Sequence, residues 1–546
     1  MKKYVIGIDF GTLSGRAVVV DTANGDVLGE AVYEYPHAVM DESLPCGKPL
    51  PERFALQHPA DYLETLSNVI PESIKAAGIS AEDVCGLGID FTACTLLPVG
   101  KDGTPLCFEE KYKSEPHAYV KLWKHHASQP QADRITEVAA RRGERWLGLY
   151  GGKISSEWAF PKILEVLEMA PEVYEDTYRF TEAADWLSLM LTGVETHSNS
   201  FAGYKAMWNA RDGFPASEYF AEVDERLRDV IGTKICANVD EIGNVAGYVN
   251  ERGAQLSGLP VGTPVSVPLP DGHVGLAGLN ITREGELMLV LGTSSCHIIH
   301  AKEELDVPGI CGYVKDGVVP GLYTYEAGQA CVGDCYDRFV RGYIPESYTK
   351  EAGERGISIH KLLREKASAL GVGESGLLCI PWFNGNRSIL VDADLSGMIL
   401  GLTLNTRPEE IYRSLIEATA YGTRVIIDNF TEHGIEINSI CACGGIAHKD
   451  EMLMQIYADV TGRNIRLTEV KQAASVGSAI YASVAAGVYP NIVEAAERMA
   501  KPTVKIYTPN PDNHAVYTKL YEEYKKLHDY FGIENDVMRN LTRMKS

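Results

Sequence analysis

Ile8-Asp9-Phe10-Gly11-Thr12-Leu13-Ser14-Gly15-Arg16 carries the architecture of this chain, because a similar stretch returns in its second half. At the N-terminus an apolar run, Tyr4 to Ile8, enters Asp9-Phe10-Gly11-Thr12, and a second apolar run, Ala17 to Val20, follows the turn. Later, Leu287 to Leu291 enters Gly292-Thr293-Ser294-Ser295, and Cys296 to Ile299 follows. Strand, Gly-Thr turn and strand, repeated at a separation of slightly over half the chain, predict two similar domains facing each other. Each Gly-Thr turn offers backbone N–H groups and hydroxyls to an anion, one way to hold nucleotide phosphates. No Gly-x-x-x-x-Gly-Lys-Ser/Thr segment occurs, so the phosphates are not expected in a P-loop.

A chain of 546 residues exceeds what one hydrophobic core organises, so two or more domains are expected. Apolar content of 45% and charged content of 23% are those of an ordinary globular protein. The net charge of −23 opposes nonspecific binding to nucleic acid or to an anionic membrane. It leaves ATP binding open, since local N–H groups, a few cations and Mg²⁺ decide that. Met1-Lys2-Lys3-Tyr4 enters a strand at once, no signal peptide fits there, and no apolar run reaches spanning length. The twelve cysteines are scattered and several sit in apolar runs, which predicts reduced thiols and a cytoplasmic location. Cys441-Ala442-Cys443 and the Cys331, Cys335 pair lack the spacing and His partners of zinc sites.

Residues 3–34 predict a three-strand meander, with Asn24-Gly25 as its second turn. A helix is expected from about His58 to Ala77, then a buried strand from Val84 to Ile89. Three strands, a helix and a fourth strand is the order of a ribonuclease-H-like ATPase domain. The fold class expected is therefore α/β, with two such domains, of the actin, Hsp70 and hexokinase type, flanking a cleft. Residues 110–250 read as a mostly helical insertion. Pro268-Leu269-Pro270-Asp271-Gly272-His273 reads as the junction, giving domains 1–270 and 271–546. In the second half, strands are expected near 287–300, 319–326 and 437–442, helices near 330–342 and 408–433, and a helical tail near 512–532.

Each motif admits a plain reading beside the chemical one. Asp9 is either a carboxylate that holds Mg²⁺ or an Asx-type turn residue. Asp271 is either a base that takes a hydroxyl proton or a helix N-cap. Gly444-Gly445 either lets the backbone pass close to a flat ligand or simply turns strand into helix. Lys471 to Ala479 is rich in small residues and reads as a close helix contact that closes the adenine side.

Together these segments resemble the FGGY carbohydrate kinases over nearly the whole chain. Asp9-Phe10-Gly11-Thr12 and Gly292-Thr293-Ser294 resemble the two phosphate segments, Gly444-Gly445 the adenosine segment, and Gly397 to Thr403 the C-terminal signature. The resemblance implies a sugar-binding first domain and a nucleotide-binding second domain. It assigns ATP to Gly11, Thr12, Ser14, Arg16, Gly292, Thr293, Ser294, Gly333, Gly444, Gly445 and Lys449, and Mg²⁺ to Asp9. It makes Asp271 the base.

Gly88 to Thr95, Leu122 to His126, Gly151 to Trp158, Gly203 to Trp208, Glu326 to Gln329 and Trp382 to Arg387 resemble those members that phosphorylate L-ribulose. Xylulose-specific members carry a Gln-bearing segment where this chain has Phe91-Thr92-Ala93. The implied sugar residues are Ala93, Lys205, Asp271 and Glu326. Without the resemblance, Lys205 reads as a solvated lysine and Glu326 as a strand-end ion pair. The implied activity is ATP-dependent phosphorylation of the terminal hydroxyl of a ketopentose. The alternatives are another ketose or polyol, such as D-ribulose, ribitol or xylulose, or an actin- or Hsp70-type ATPase with no sugar. The expected partners are the small sugar and ATP, with no nucleic acid and no membrane, and the sequence leaves room for a homodimer.

Overall fold

The computed structural model describes residues 3–470 and 472–544. The described residues divide into two compact units: residues 3–282 with 313–324 and 472–501, and residues 283–312 with 325–470 and 502–544.

The first unit is built on a mixed sheet in the order Val27–Glu34, Ser14–Asp21, Tyr4–Phe10, Val84–Phe91, Pro264–Ser266 and Val245–Tyr248, with Leu269–Pro270 also pairing onto Val84–Phe91. The expected meander is present, and Gly25 turns its second hairpin at φ +70°. The helix Pro59–Ala77 starts at the His58 cap and stops at Gly78, in the left-handed region, as its sequence signals require. Tyr4–Phe10 runs antiparallel to Ser14–Asp21 and parallel to Val84–Phe91. The apolar residues of these strands bury against Tyr62, Leu66, Val69 and Ile70 of the helix.

The other face takes the helix Ala473–Ala485. A Cβ on Gly7 or Gly88 would stand 1.8 Å from the Ser475 carbonyl oxygen or 2.0 Å from that of Ser478. The small residues of this helix therefore serve backbone-close packing on the first sheet, which is the close helix contact that the sequence predicts. Lys471, the first residue of that sequence segment, lies outside the described residues.

The junction also differs from the expected one. The helix Asp271–Gly278 packs on Ala473–Ala485, with a Cβ on Gly477 reaching within 2.1 Å of the Val274 carbonyl oxygen. That contact keeps 271–282 with the first unit, so the units divide at Thr282/Arg283 and not at Pro270/Asp271. The insertion is mostly helical, around a core that includes Trp146, Tyr150 and Trp158. It also supplies Val120–Lys121 and Arg179–Glu182 to a small sheet with Leu56–Gln57 and Leu96–Val99.

In the second unit, Gly285–Leu291 pairs antiparallel with Ser295–Ala301 and parallel with Ile437–Cys443. Ile465–Thr468 and Thr503–Tyr507 extend the sheet. The helices Gly333–Tyr343 and Pro408–Glu432 match the expected positions, and the tail forms Pro511–Asp529. The strand expected at 319–326 is Tyr323–Gln329, because Pro320-Gly321 makes a turn with Gly321 at φ +89°. No helix among the described residues is long and apolar enough to cross a membrane.

Candidate active site

Register brings three carboxylates to one edge of the first sheet. Asp9 pairs with Asp90 across two parallel strands, and Asp90 in turn pairs with Leu269. Pro270 ends that short strand, and Asp271 is the next residue, the first of its helix. The carboxyl ends of parallel strands are where open α/β sheets bind ligands.

The three groups are held differently. Asp9 lies 3.6 Å from the Arg16 Nε, its partner on the neighbouring antiparallel strand. Burial raises Asp9 above the ordinary carboxylate range, and the Arg16 charge works against that shift. Asp90 is fully buried and accepts a 2.5 Å hydrogen bond from the Ser478 hydroxyl. Burial first, and then the charges of Asp9 and Asp271, push it well above the carboxylate range. Asp271 Oδ1 accepts the Gly272 N–H at 2.6 Å, while Pro270 occupies the N-cap position. The turn after Asp9 is closed by the Gly11 N–H donating to the Ser14 carbonyl at 3.0 Å and not by the Asp9 carboxylate, so Asp9 is not its Asx residue.

Asp90 was absent from the expected site. Its signal was present: an Asp at the end of a buried strand, in the pattern of Asp9. Asp90 Oδ1 is buried without a hydrogen-bond partner among the described residues. An unpartnered carboxylate oxygen beside the Asp9 carboxyl offers hard oxygen donors of the kind that suit a divalent cation such as Mg²⁺, which keeps the rest of its shell as water.

Two other residues that sequence reasoning missed hold the Gly11-Thr12 turn. Trp123 Nε1 donates to the Thr12 hydroxyl at 3.2 Å, and Gln57 Nε2 to the Thr12 carbonyl at 2.7 Å. Tyr62 donates at 2.6 Å to the other end of the Gln57 amide, which fixes its orientation. Nothing local in the sequence joins Trp123 to Thr12.

The turn that begins at Ala93 is unusual in its backbone. Cys94 sits at φ +61°, and its carbonyl accepts from Lys162 Nζ at 2.5 Å. Lys205, the last residue of the helix Asn199–Lys205, is only 8% exposed, which rules out a solvated lysine. Its ammonium stands 5.9 Å from the centre of the Trp158 ring. Its charge acts on the Cys94 thiol of the Ala93 turn, which burial pushes up and the Lys205 charge pulls back.

In the second unit, the Val290–Cys443 pairing sets the Gly292 and Gly444 turns side by side. The carbonyls of Gly292 and Thr293 accept the N–H groups of Gly333 at 3.0 Å and Val332 at 2.8 Å. Gly333 has a structural requirement of its own, since a Cβ there would stand 2.7 Å from the Gly292 oxygen. Gly444 adopts φ +95°, and a Cβ would meet the Leu291 oxygen at 2.4 Å. Gly292 and Gly445 are open: the nearest atom to a Cβ on Gly292 is 3.8 Å away, and Gly445 meets nothing within 4 Å. Lys449 is exposed, and its carbonyl accepts from Arg364. Glu326 is half-buried in the strand Tyr323–Gln329, and its carbonyl accepts the Cys311 N–H at 2.8 Å.

Comparison with known proteins agrees with this architecture. Residues 4–278 match the N-terminal domain of the FGGY family of carbohydrate kinases, and residues 287–486 match its C-terminal domain. The chain is 48% identical over 539 residues to a protein named ribulokinase from Bacillus licheniformis, covering 98% of each. It is also 48% identical over 551 residues to a ribulokinase from Geobacillus thermodenitrificans, covering 100% of this chain and 97% of that one. The fold is that of a xylulose kinase structure from Rhodospirillum rubrum, at TM-score 0.78 and 22% identity, covering 96% of this chain and 98% of that one. The chain therefore belongs to the FGGY family of carbohydrate kinases.

Proposed function

We propose that this protein transfers the γ-phosphoryl group of ATP to the terminal hydroxyl of L-ribulose, giving L-ribulose 5-phosphate and ADP. The observation that carries the chemistry is the trio Asp9, Asp90 and Asp271 at one strand edge. The substrate rests on the named relatives at 48% identity and on the buried Lys205, whose charge acts on the Ala93 turn.

Asp271 accepts the proton of the attacking hydroxyl, whose oxygen forms the new bond to the γ-phosphorus as the bond to the β–γ bridging oxygen breaks. Asp9 and Asp90 are the residues that would hold Mg²⁺, which when bound neutralises charge on the phosphates. The N–H groups and hydroxyls of Gly11, Thr12 and Ser14, with Arg16, and of Gly292, Thr293 and Ser294 are assigned to the phosphates. The open backbone at Gly445, beside Gly444, is assigned to the adenosine. Gly333 holds the Gly292 turn, and Lys449 stands at the rim of that segment.

Ala93, Lys205 and Glu326 read the sugar. Lys205 donates to hydroxyls and Glu326 accepts from them, and a wrong sugar leaves such buried groups unpaired. The domain assignment follows: sugar residues on the first unit with Glu326 on the second, and adenosine residues on the second. A cytoplasmic setting, with the cysteines reduced, is part of the same reading.

The deciding experiment is ADP release with L-ribulose, D-ribulose, ribitol, xylulose and glycerol. L-ribulose is expected to give the highest kcat/KM. A higher value for another acceptor overturns the substrate, and ATP turnover that no acceptor stimulates overturns the kinase reading.

A further inference from the structure

Lys162 lies on the helix Ala159–Met169 and is completely buried. Its Nζ donates to three carbonyls: Cys94 at 2.5 Å, Leu122 at 2.9 Å and Lys121 at 3.4 Å. These belong to two separate segments. Cys94 is the left-handed residue of the turn that starts at Ala93. Leu122 directly precedes Trp123, whose indole N–H reaches the Thr12 hydroxyl.

The same turn is gripped from its N–H side. Glu182, also buried, accepts the Thr95 N–H through Oε2 at 2.9 Å. Burial pushes Lys162 down to about 8 and Glu182 up to about 7, and the attraction between the two charges opposes both shifts. Burying an ammonium costs free energy that an apolar side chain of similar volume does not. What the ammonium supplies instead is direction: each carbonyl is fixed relative to one point.

We propose that Lys162 is a positioning residue for the kinase reaction, one that sets the spacing between the Ala93 turn and the Trp123–Thr12 contact. The proposal rests on the assignment of Ala93 to the sugar and Thr12 to the phosphates. Phosphoryl transfer needs donor and acceptor in line, and a displacement of about 1 Å costs on the order of 10²-fold in rate. One buried cation bonded to both segments keeps that spacing without touching either ligand.

The test compares wild type, Lys162→Met, Trp123→Phe and the double variant, with L-ribulose and ATP. Lys162→Met is expected to lose about 10- to 100-fold in kcat/KM, through both a higher KM for the sugar and a lower kcat. Trp123→Phe is expected to lower kcat and leave the sugar KM unchanged. The double variant is expected to lose no more kcat than Lys162→Met, since the link to Trp123 is already cut.

A folded Lys162→Met with wild-type kcat and KM overturns the proposal, and so do losses that multiply in the double variant. If Lys162→Met fails to unfold cooperatively, Lys162→Gln, whose amide keeps N–H donors, takes its place. Misfolding of both overturns the proposal, because Lys162 then supports the fold alone. A wild type inactive on L-ribulose overturns the substrate reading instead, and the same four proteins are then compared on the acceptor that the panel identifies.

Discussion

Asp9 and Asp90 occupy the same register position on neighbouring parallel strands, so that two carboxyls face each other where electrostatics alone would keep them apart. The Ser478 hydroxyl and the Arg16 guanidinium stabilise the pair from either side. A site of this kind is costly in the free protein and favourable once a divalent cation neutralises it.

The first prediction concerns pH. Asp90 has a folded pKa raised above its unfolded value, so its contribution to stability is fully present below the ordinary carboxylate range. That contribution is lost as pH rises toward the raised pKa, at about 1.4 kcal/mol per pH unit. Asp90→Asn, which cannot titrate, should lose less stability than wild type between pH 4 and 8. The measurement is denaturant unfolding across that range, and parallel curves for the two proteins would refute the assignment.

Asp271→Asn removes the proposed proton acceptor and keeps an oxygen that can accept the Gly272 N–H. A fall in kcat of roughly 10²- to 10⁴-fold is expected, with sugar affinity changed by less than about tenfold. Steady-state kinetics and calorimetry with L-ribulose separate the two. A variant with half the wild-type kcat excludes Asp271 from proton transfer.

Two glycines of the second unit should respond in opposite ways. A Cβ on Gly292 meets no atom closer than 3.8 Å, whereas one on Gly333 meets the Gly292 oxygen at 2.7 Å. Gly292→Val should therefore unfold near the wild-type temperature, with weakened ATP binding and unchanged sugar binding. Gly333→Val should lower the unfolding temperature, at a cost of about 1–3 kcal/mol. Equal loss of both ligands in Gly292→Val would point to misfolding and count against its placement at the phosphates.

Lys205→Met and Glu326→Gln test the sugar assignment. Loss of one charge-assisted hydrogen bond costs about 1.5–3 kcal/mol, or roughly 10- to 150-fold in kcat/KM. The loss should fall on L-ribulose, with the KM for ATP little changed, and discrimination against D-ribulose and ribitol should narrow. Wild-type values and ranking in both variants would put these residues outside the sugar pocket.

The strands, helices and turns of this chain were legible because their signals are local. Alternating and continuous apolar runs marked the meander, the His58 cap and Gly78 bounded the first helix, and Asn24-Gly25 marked a hairpin. The two Gly-Thr turns were legible for the same reason, whereas Asp271 was marked by the family resemblance and not by a local signal.

Local signals in the chain were enough to fix this order of elements and the positions of the two Gly-Thr turns. Tertiary structure alone decided the rest. It set Asp90 beside Asp9, brought Trp123 and Gln57 to Thr12, returned the helix Ala473–Ala485 to the first sheet, and bonded Lys162 to two segments at once. The physical reason is that strand register and helix-on-sheet packing are settled by contacts between residues far apart in the chain. A small residue such as Ser475, or a lysine such as Lys162, carries no local mark of the backbone it will meet.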